Sequence, residues 1–177
     1  MTPTFRRLAL AAGLCATPLA AVAQAELGDA QIAHIVVTAN QVDVDAGKLA
    51  RTKSAGKDTR AFAERMIADH NAVNKEATAI VKRIGIKPED NAISRSLHQG
   101  GRDNLANLRG LNKGRAFDRA YVAHEVAYHQ VVLDVIDRTL VPGARSPELK
   151  ALLVKVRPAF VAHVDHARQL EAALGPP

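Results

Sequence analysis

Residues 146–174 read SPELKALLVKVRPAFVAHVDHARQLEAAL. Ser146 is a good N-cap, Pro147 suits the first helical turn, where its missing N–H leaves no bond unmade, and Glu148 favours the positive end of the helix dipole. Behind them Leu149, Leu152, Leu153, Val156, Phe160, Val164, Ala167, Leu170 and Leu174 recur at intervals of three and four, which places them on one helical stripe. His163 falls inside that stripe, between Phe160 and Ala167. A long helix of this kind must bury its apolar face against other helices, and the histidine is buried with it.

Three further stripes of the same period precede it. The first helix runs from about Asp29 to Lys53, with Ile32, Ile35, Val36, Ala39, Val42, Ala46 and Ala50 on one face. The second runs from about Asp58 to Ile84 on Phe62, Met66, Val73, Ala77, Ile80 and Ile84, and Gly85 is a natural stop. The third runs from about Arg115 to Leu140 on Phe117, Tyr121, Tyr128, Val132, Val135 and Ile136, ended by Val141-Pro142-Gly143. Residues 86–113 are broken by Pro88, the Gly100-Gly101 pair and Gly110. Only Leu105, Leu108 and Leu111 are periodic there, which predicts a short extra helix. The class is therefore all-α. Two short hairpins and one long connection predict a ferritin-like four-helix bundle, with a crossover from the second helix to the third that leaves those two parallel.

The start of the chain reads as an address. Arg6 and Arg7 precede an apolar run from Leu8 to Leu19, and small residues follow at Ala21, Ala23 and Ala25, the pattern of a signal peptide cleaved after residue 23 or 25. Residues 26–177 then form a single domain, expected to be periplasmic or secreted. No stretch approaches the roughly 18 apolar residues that a transmembrane helix needs. The lone cysteine, Cys15, lies within the leader, so the mature chain has no disulfide to lean on. The net charge of +6 concentrates between Arg95 and Arg119, a segment suited to weak contact with anionic envelope surfaces. With no tryptophan and 3% aromatic residues, that basicity lacks the stacking groups of a nucleic-acid binder.

Each long helix carries an ionisable residue on its inward face. At about 100° per residue Asp43 falls between Val36 and Ala50, His70 beside Met66 and Val73, Glu125 between Tyr121 and Tyr128, and His163 as above. Asp69 also lies on the inward half of its helix, and His129 borders the stripe one turn after Glu125. His34 and His98 read as exposed. Asp43 and His70 are about equally far from the turn near Gly56, and the parallel third helix brings Glu125 and His129 to the same height. Unpartnered ionisable groups are costly to bury, so this layer is either a satisfied internal network or a metal site of His70, Glu125, His129, His163 and Asp43. The metals in question are transition ions such as iron, manganese or zinc. No Glu-x-x-His motif occurs, which argues against a ferritin-type oxidase centre. No Ser-His-Asp arrangement, phosphate loop or dinucleotide fingerprint is legible either.

Four stretches, VDVDAGKLA (42–50), AFAERMIADH (61–70), AFDRAY (116–121) with His129, and Arg157-Pro158 with His163, together resemble the successive signatures of a bacterial exported family catalogued as a domain of unknown function. Its members carry outer-membrane or periplasmic labels and have a ferritin-like bundle. The likeness spans about Gln31 to Leu170. It implies the fold and the export, and it marks His70, His129 and His163 as motif positions, but it implies no activity and no metal. Where members of that family often have Glu in the first signature, this chain has the shorter Asp43 and Asp45.

The leading expectation is an exported binding or stress-related module with a buried His/carboxylate metal site. A metal-dependent redox enzyme and a structural envelope protein acting through residues 95–119 are the competing ones.

Overall fold

A computed structural model describes residues 27–175, so the leader expected over residues 1–23, with Cys15, lies outside the described part. The helices are α1 (Asp29–Lys53), α2 (Lys57–Arg83), α3 (Ala92–Gly110), α4 (Arg115–Val135), a π-helical turn (Ile136–Leu140) leading into a three-residue α5 (Val141–Gly143), and α6 (Pro147–Leu174). No strand occurs among the described residues. None of these helices is long and apolar enough to cross a membrane.

Capping interactions fix which helix ends meet. Asp29, at the start of α1, accepts from the backbone N–H of Arg145 and of Ser146, each at 2.9 Å, so α1 and α6 begin at one end of the molecule. Ser146 Oγ in turn accepts from the N–H of Leu149, as its sequence position predicts. At the other end the buried Asp118 carboxylate accepts from Ala55 N–H at 3.2 Å and Gly56 N–H at 2.8 Å, pinning the start of α4 to the α1–α2 turn. Arg115 and Arg119 close the same end by donating to the Leu174 carbonyl at the last turn of α6. Thus α1 and α6 run one way while α2 and α4 run the other, so the second and third long helices are parallel.

The return journey from α2 to α4 is made by α3, and here the sequence expectation needs correction. A short helix around Leu105 becomes 19 residues, and the Gly100-Gly101 pair lies inside it instead of breaking it. Asn91 supplies a side-chain cap, accepting from Ser94 N–H at 3.0 Å. The helix lies along α1 in the same direction: Asn91 Nδ2 donates to Gln31 O near the start of α1, and Lys53 Nζ donates to Leu108 O and Arg109 O at its end. Between these anchors a Cβ on Gly101 would sit 2.7 Å from Val42 Cγ2, inside van der Waals contact. Glycine is there because the helices touch, which offsets its poor helix propensity. The helix expected from Arg115 to Leu140 is likewise modified: α4 ends at Val135 and the last turn, Ile136–Leu140, is π-helical.

The apolar core falls into two clusters. One takes Ile32 to Val42 of α1, Ala77 and Ile80 of α2, Tyr128 to Ile136 of α4 and its π turn, and Leu149 to Phe160 of α6. The other takes Ala46 and Ala50, Phe62 to Met66, Phe117 to Val122, and Ala167 with Leu170. On every long helix the boundary between them falls at an ionisable residue: Asp43, His70, Glu125 and His163. A polar layer crosses the middle of the protein.

Candidate metal centre

The helices deliver that layer at one level. His70, Glu125 and His129 are 0% exposed, and Asp43 and His163 are 1% exposed. Burial of this degree demands that each polar atom find a partner, so where the partners lie determines what the layer can do.

Each of the three imidazoles has one nitrogen occupied from outside the cluster. His70 Nδ1 lies 2.7 Å from Asn40 Oδ1, and Asn40 Nδ2 itself donates to Val36 O, which orients the amide oxygen toward the ring. His129 Nδ1 lies 3.0 Å from the Glu125 carbonyl oxygen, one turn back on α4. His163 Nε2 lies 2.9 Å from Asp69 Oδ2. All three partners are acceptors, so these nitrogens carry the protons and the opposite nitrogens carry lone pairs. The lone-pair nitrogens face one another: His70 Nε2 is 3.3 Å from His129 Nε2, and His163 Nδ1 is 3.3 Å from the same atom. All three lie within 4.8 Å of one another. The rings form a near-regular triangle with centroids 5.3, 5.3 and 5.2 Å apart, and Phe160 packs against all three.

Burial lowers the basicity of these rings. His70 is held well below the usual histidine range by desolvation and by its two imidazole neighbours, and desolvation brings His129 to about 3. His163 is lowered as well, desolvation outweighing the pull of Asp69. Neutral imidazoles at 3.3 Å with no proton between them repel through their lone pairs, and a cation at the centre converts that repulsion into ligation. Metal–nitrogen bonds of about 2.0–2.1 Å at tetrahedral angles place ligand nitrogens about 3.3–3.4 Å apart, the spacing of the two pairs that share His129 Nε2.

The carboxylates form a second group, Asp43 and Glu125 with His129. Asp43 Oδ2 approaches His70 Nε2 at 3.5 Å and Glu125 Oε2 approaches His129 Nδ1 at 3.4 Å; with both acids ionised no donor reaches the four carboxylate oxygens in good geometry, and the Glu125 carboxylate has Asp43 and Tyr121 as its hydrogen-bonding neighbours when protons are shared. Both acids are pushed up by burial, Asp43 further by the adjacent Glu125, and Glu125 to about 8. The Tyr121 hydroxyl is equally buried, with Glu125 as its one hydrogen-bonding neighbour, whereas Tyr128 Oη donates to Ala39 O at 3.1 Å.

The five residues singled out in the sequence therefore meet in one layer, divided into an imidazole triangle and a carboxylate pair. Asn40 escapes sequence reading: it lies on the inward stripe four residues after Val36, but an uncharged amide there is inconspicuous. His34 and His98 stand apart, along a groove of about 490 Å³ between α1 and α3, with His98 exposed as expected and His34 half-buried. Several bases of the 95–119 segment are engaged locally, Arg95 with Asp90 and Arg115 and Arg119 with the end of α6.

A family model described as "Domain of unknown function (DUF4142)" matches residues 15–170. Neither the curated proteins nor the solved structures offer a match to the chain.

Proposed function

The chain belongs to the DUF4142 family, a domain of unknown function, and from the site itself we propose that it is an exported protein holding one divalent transition-metal ion on His70, His129 and His163. The carrying observation is the convergence of three lone-pair nitrogens whose ring N–H groups are each held by a separate acceptor. Metal-binding histidines characteristically have such a partner, since it fixes the tautomer and orients the ring. Nitrogen donors favour zinc or iron over manganese. The parallel second and third long helices support the ferritin-like form of the bundle, and the signal-peptide pattern of Arg6, Arg7 and the apolar run that follows supports export to the periplasm.

Full burial of the ligands and the cover of Phe160 favour retention of an ion, as in a binding or stress-related module. Three protein ligands also leave coordination positions open, which on a redox-active ion such as iron, and not on zinc, would admit oxygen or peroxide; this makes a metal-dependent redox enzyme the second reading. Contact with anionic surfaces through residues 95–119 ranks behind both, because several of those bases are already paired.

Elemental analysis of protein purified from the periplasm tests the main reading. One equivalent of transition metal per chain, lost in both His70→Ala and His163→Ala, is expected. Absence of metal, or metal unchanged in both variants, overturns it. Peroxide- or oxygen-dependent turnover by the loaded protein would move the assignment to the enzyme.

A further inference from the structure

We propose that Asp43, Glu125 and Tyr121 form a second cation site, separate from the imidazole triangle and suited to an oxygen-preferring divalent ion of the manganese(II) class. The inference rests on the tri-histidine reading for its setting but on different atoms for its content. Asp43 and Glu125 come from α1 and α4, face each other, and are 1% and 0% exposed. No group outside the set donates a well-formed hydrogen bond to any of their four oxygens or to the Tyr121 hydroxyl, and the only hydrogen-bonding neighbours of the Glu125 carboxylate are Asp43 and Tyr121 themselves. Three buried groups from two helices thus gather more oxygen lone pairs than protons to share among them, which is unfavourable for a folded core unless a cation takes up the surplus.

Two simpler explanations fall short. A proton shared by the two acids satisfies one oxygen on each, and the Tyr121 hydroxyl beside Glu125 donates to only one more, so one carboxylate oxygen still has no donor. The first ion reaches one of them at most: Asp43 Oδ2 lies 3.5 Å from His70 Nε2, but the set in which Asp43 and Glu125 close together includes His129 and not the whole triangle, which leaves Glu125 outside. His129 belongs to both sets. Its Nε2 faces the triangle while its Nδ1 is held by the Glu125 carbonyl at 3.0 Å, so its ring is a wall between the sites and is not free to ligate in both. The second ion would therefore take two carboxylates and a phenol oxygen, with water completing its shell. Such hard donors suit manganese(II), magnesium or calcium, whereas imidazole suits zinc and iron. The upward displacement of both acids agrees with a pair that lacks its counter-ion.

The experiment uses metal-free full-length protein, loaded first with zinc and then with manganese(II), which is followed by loss of the free-ion electron paramagnetic resonance signal. One equivalent of zinc and one of manganese is expected. In Asp43→Asn/Glu125→Gln the manganese equivalent should vanish while zinc stays at one, because the shorter contact of His129 Nδ1, 3.0 Å against 3.4 Å, is to the Glu125 backbone carbonyl, which the variant keeps. Helical circular dichroism confirms that the variant folds, and removal of two unpaired acids should raise its melting temperature in the metal-free state. Zinc at one with manganese at zero overturns the second site alone. Manganese binding that survives the double variant also overturns it. Zinc at zero with manganese at one, lost in the double variant, upholds the second site and overturns the histidine site. Zinc and manganese both at zero overturn the two together.

Discussion

His163 differs from the other two imidazoles in how it is held. Its outer nitrogen meets Asp69, whose side chain is 39% exposed and also accepts from Arg65 Nε at 3.3 Å, whereas the partners of His70 and His129 are interior. Asp69 therefore joins a buried ligand to the surface. Asp69→Asn should preserve the fold, weaken the hold on the ring, and reduce metal affinity by about 10–100-fold, as loss of an outer partner does at other metal centres. Competition with a chelator of known affinity measures this, and unchanged affinity would separate Asp69 from the site. At this scale the sequence is informative about identity and uninformative about grouping. Asp43, His70, Glu125 and His163 declare themselves because ionisable residues do not belong on an apolar stripe, and His129 follows from the turn after Glu125. That the histidines form one set and the acids another depends on side-chain rotamers and on Asn40. Helical periodicity carries neither.

Among the elements, α1 and α6 are legible to their ends because caps and stripes agree: Ser146, Pro147 and Glu148 announce one helix, and the periodic run from Asp29 to Lys53 announces the other. The third helix of the chain is not legible. Gly100-Gly101 ordinarily marks a break, and the reason it does not is a tertiary contact, the approach of α3 to Val42 on α1. Gly101→Val should force those helices apart and cost about 1–3 kcal/mol through overpacking. Val42→Ala in the same chain should recover part of the loss. Chemical denaturation of the two single variants and the double variant measures the coupling, and additive effects would show that the close approach is not what selects glycine.

For the whole molecule, the polar layer makes stability depend on pH in two opposed ways when no metal is bound. His70, His124, His129 and His163 all titrate below the usual 6.5 in the folded protein, with His124 brought to about 4 and His129 to about 3 by burial. As pH falls through about 6.5 the unfolded chain takes up protons that the folded one refuses, so stability is lost on the acid side. Asp43 and Glu125 are raised, Glu125 from 4.5 to about 8, so the folded form keeps protons that the unfolded chain releases, and stability is lost as pH rises toward 8. Four imidazoles against two carboxylates set the acid limb, and the carboxylates alone act between 6.5 and 8. Thermal melts of metal-free protein should therefore peak near pH 6.5, with the alkaline limb flattened by bound metal. A melting temperature that climbs steadily from pH 5 to 8 would show that the acids are not held protonated by burial. The same layer divides the apolar core, a division legible in the sequence only as ionisable residues at one height on four helices.

Occupation of the imidazole triangle is decided most directly by anomalous diffraction at the absorption edge of the bound metal. A single strong peak is expected about 2.0–2.1 Å from His70 Nε2, His129 Nε2 and His163 Nδ1 together. No peak after metal loading, or one confined to surface residues, would contradict the metal centre.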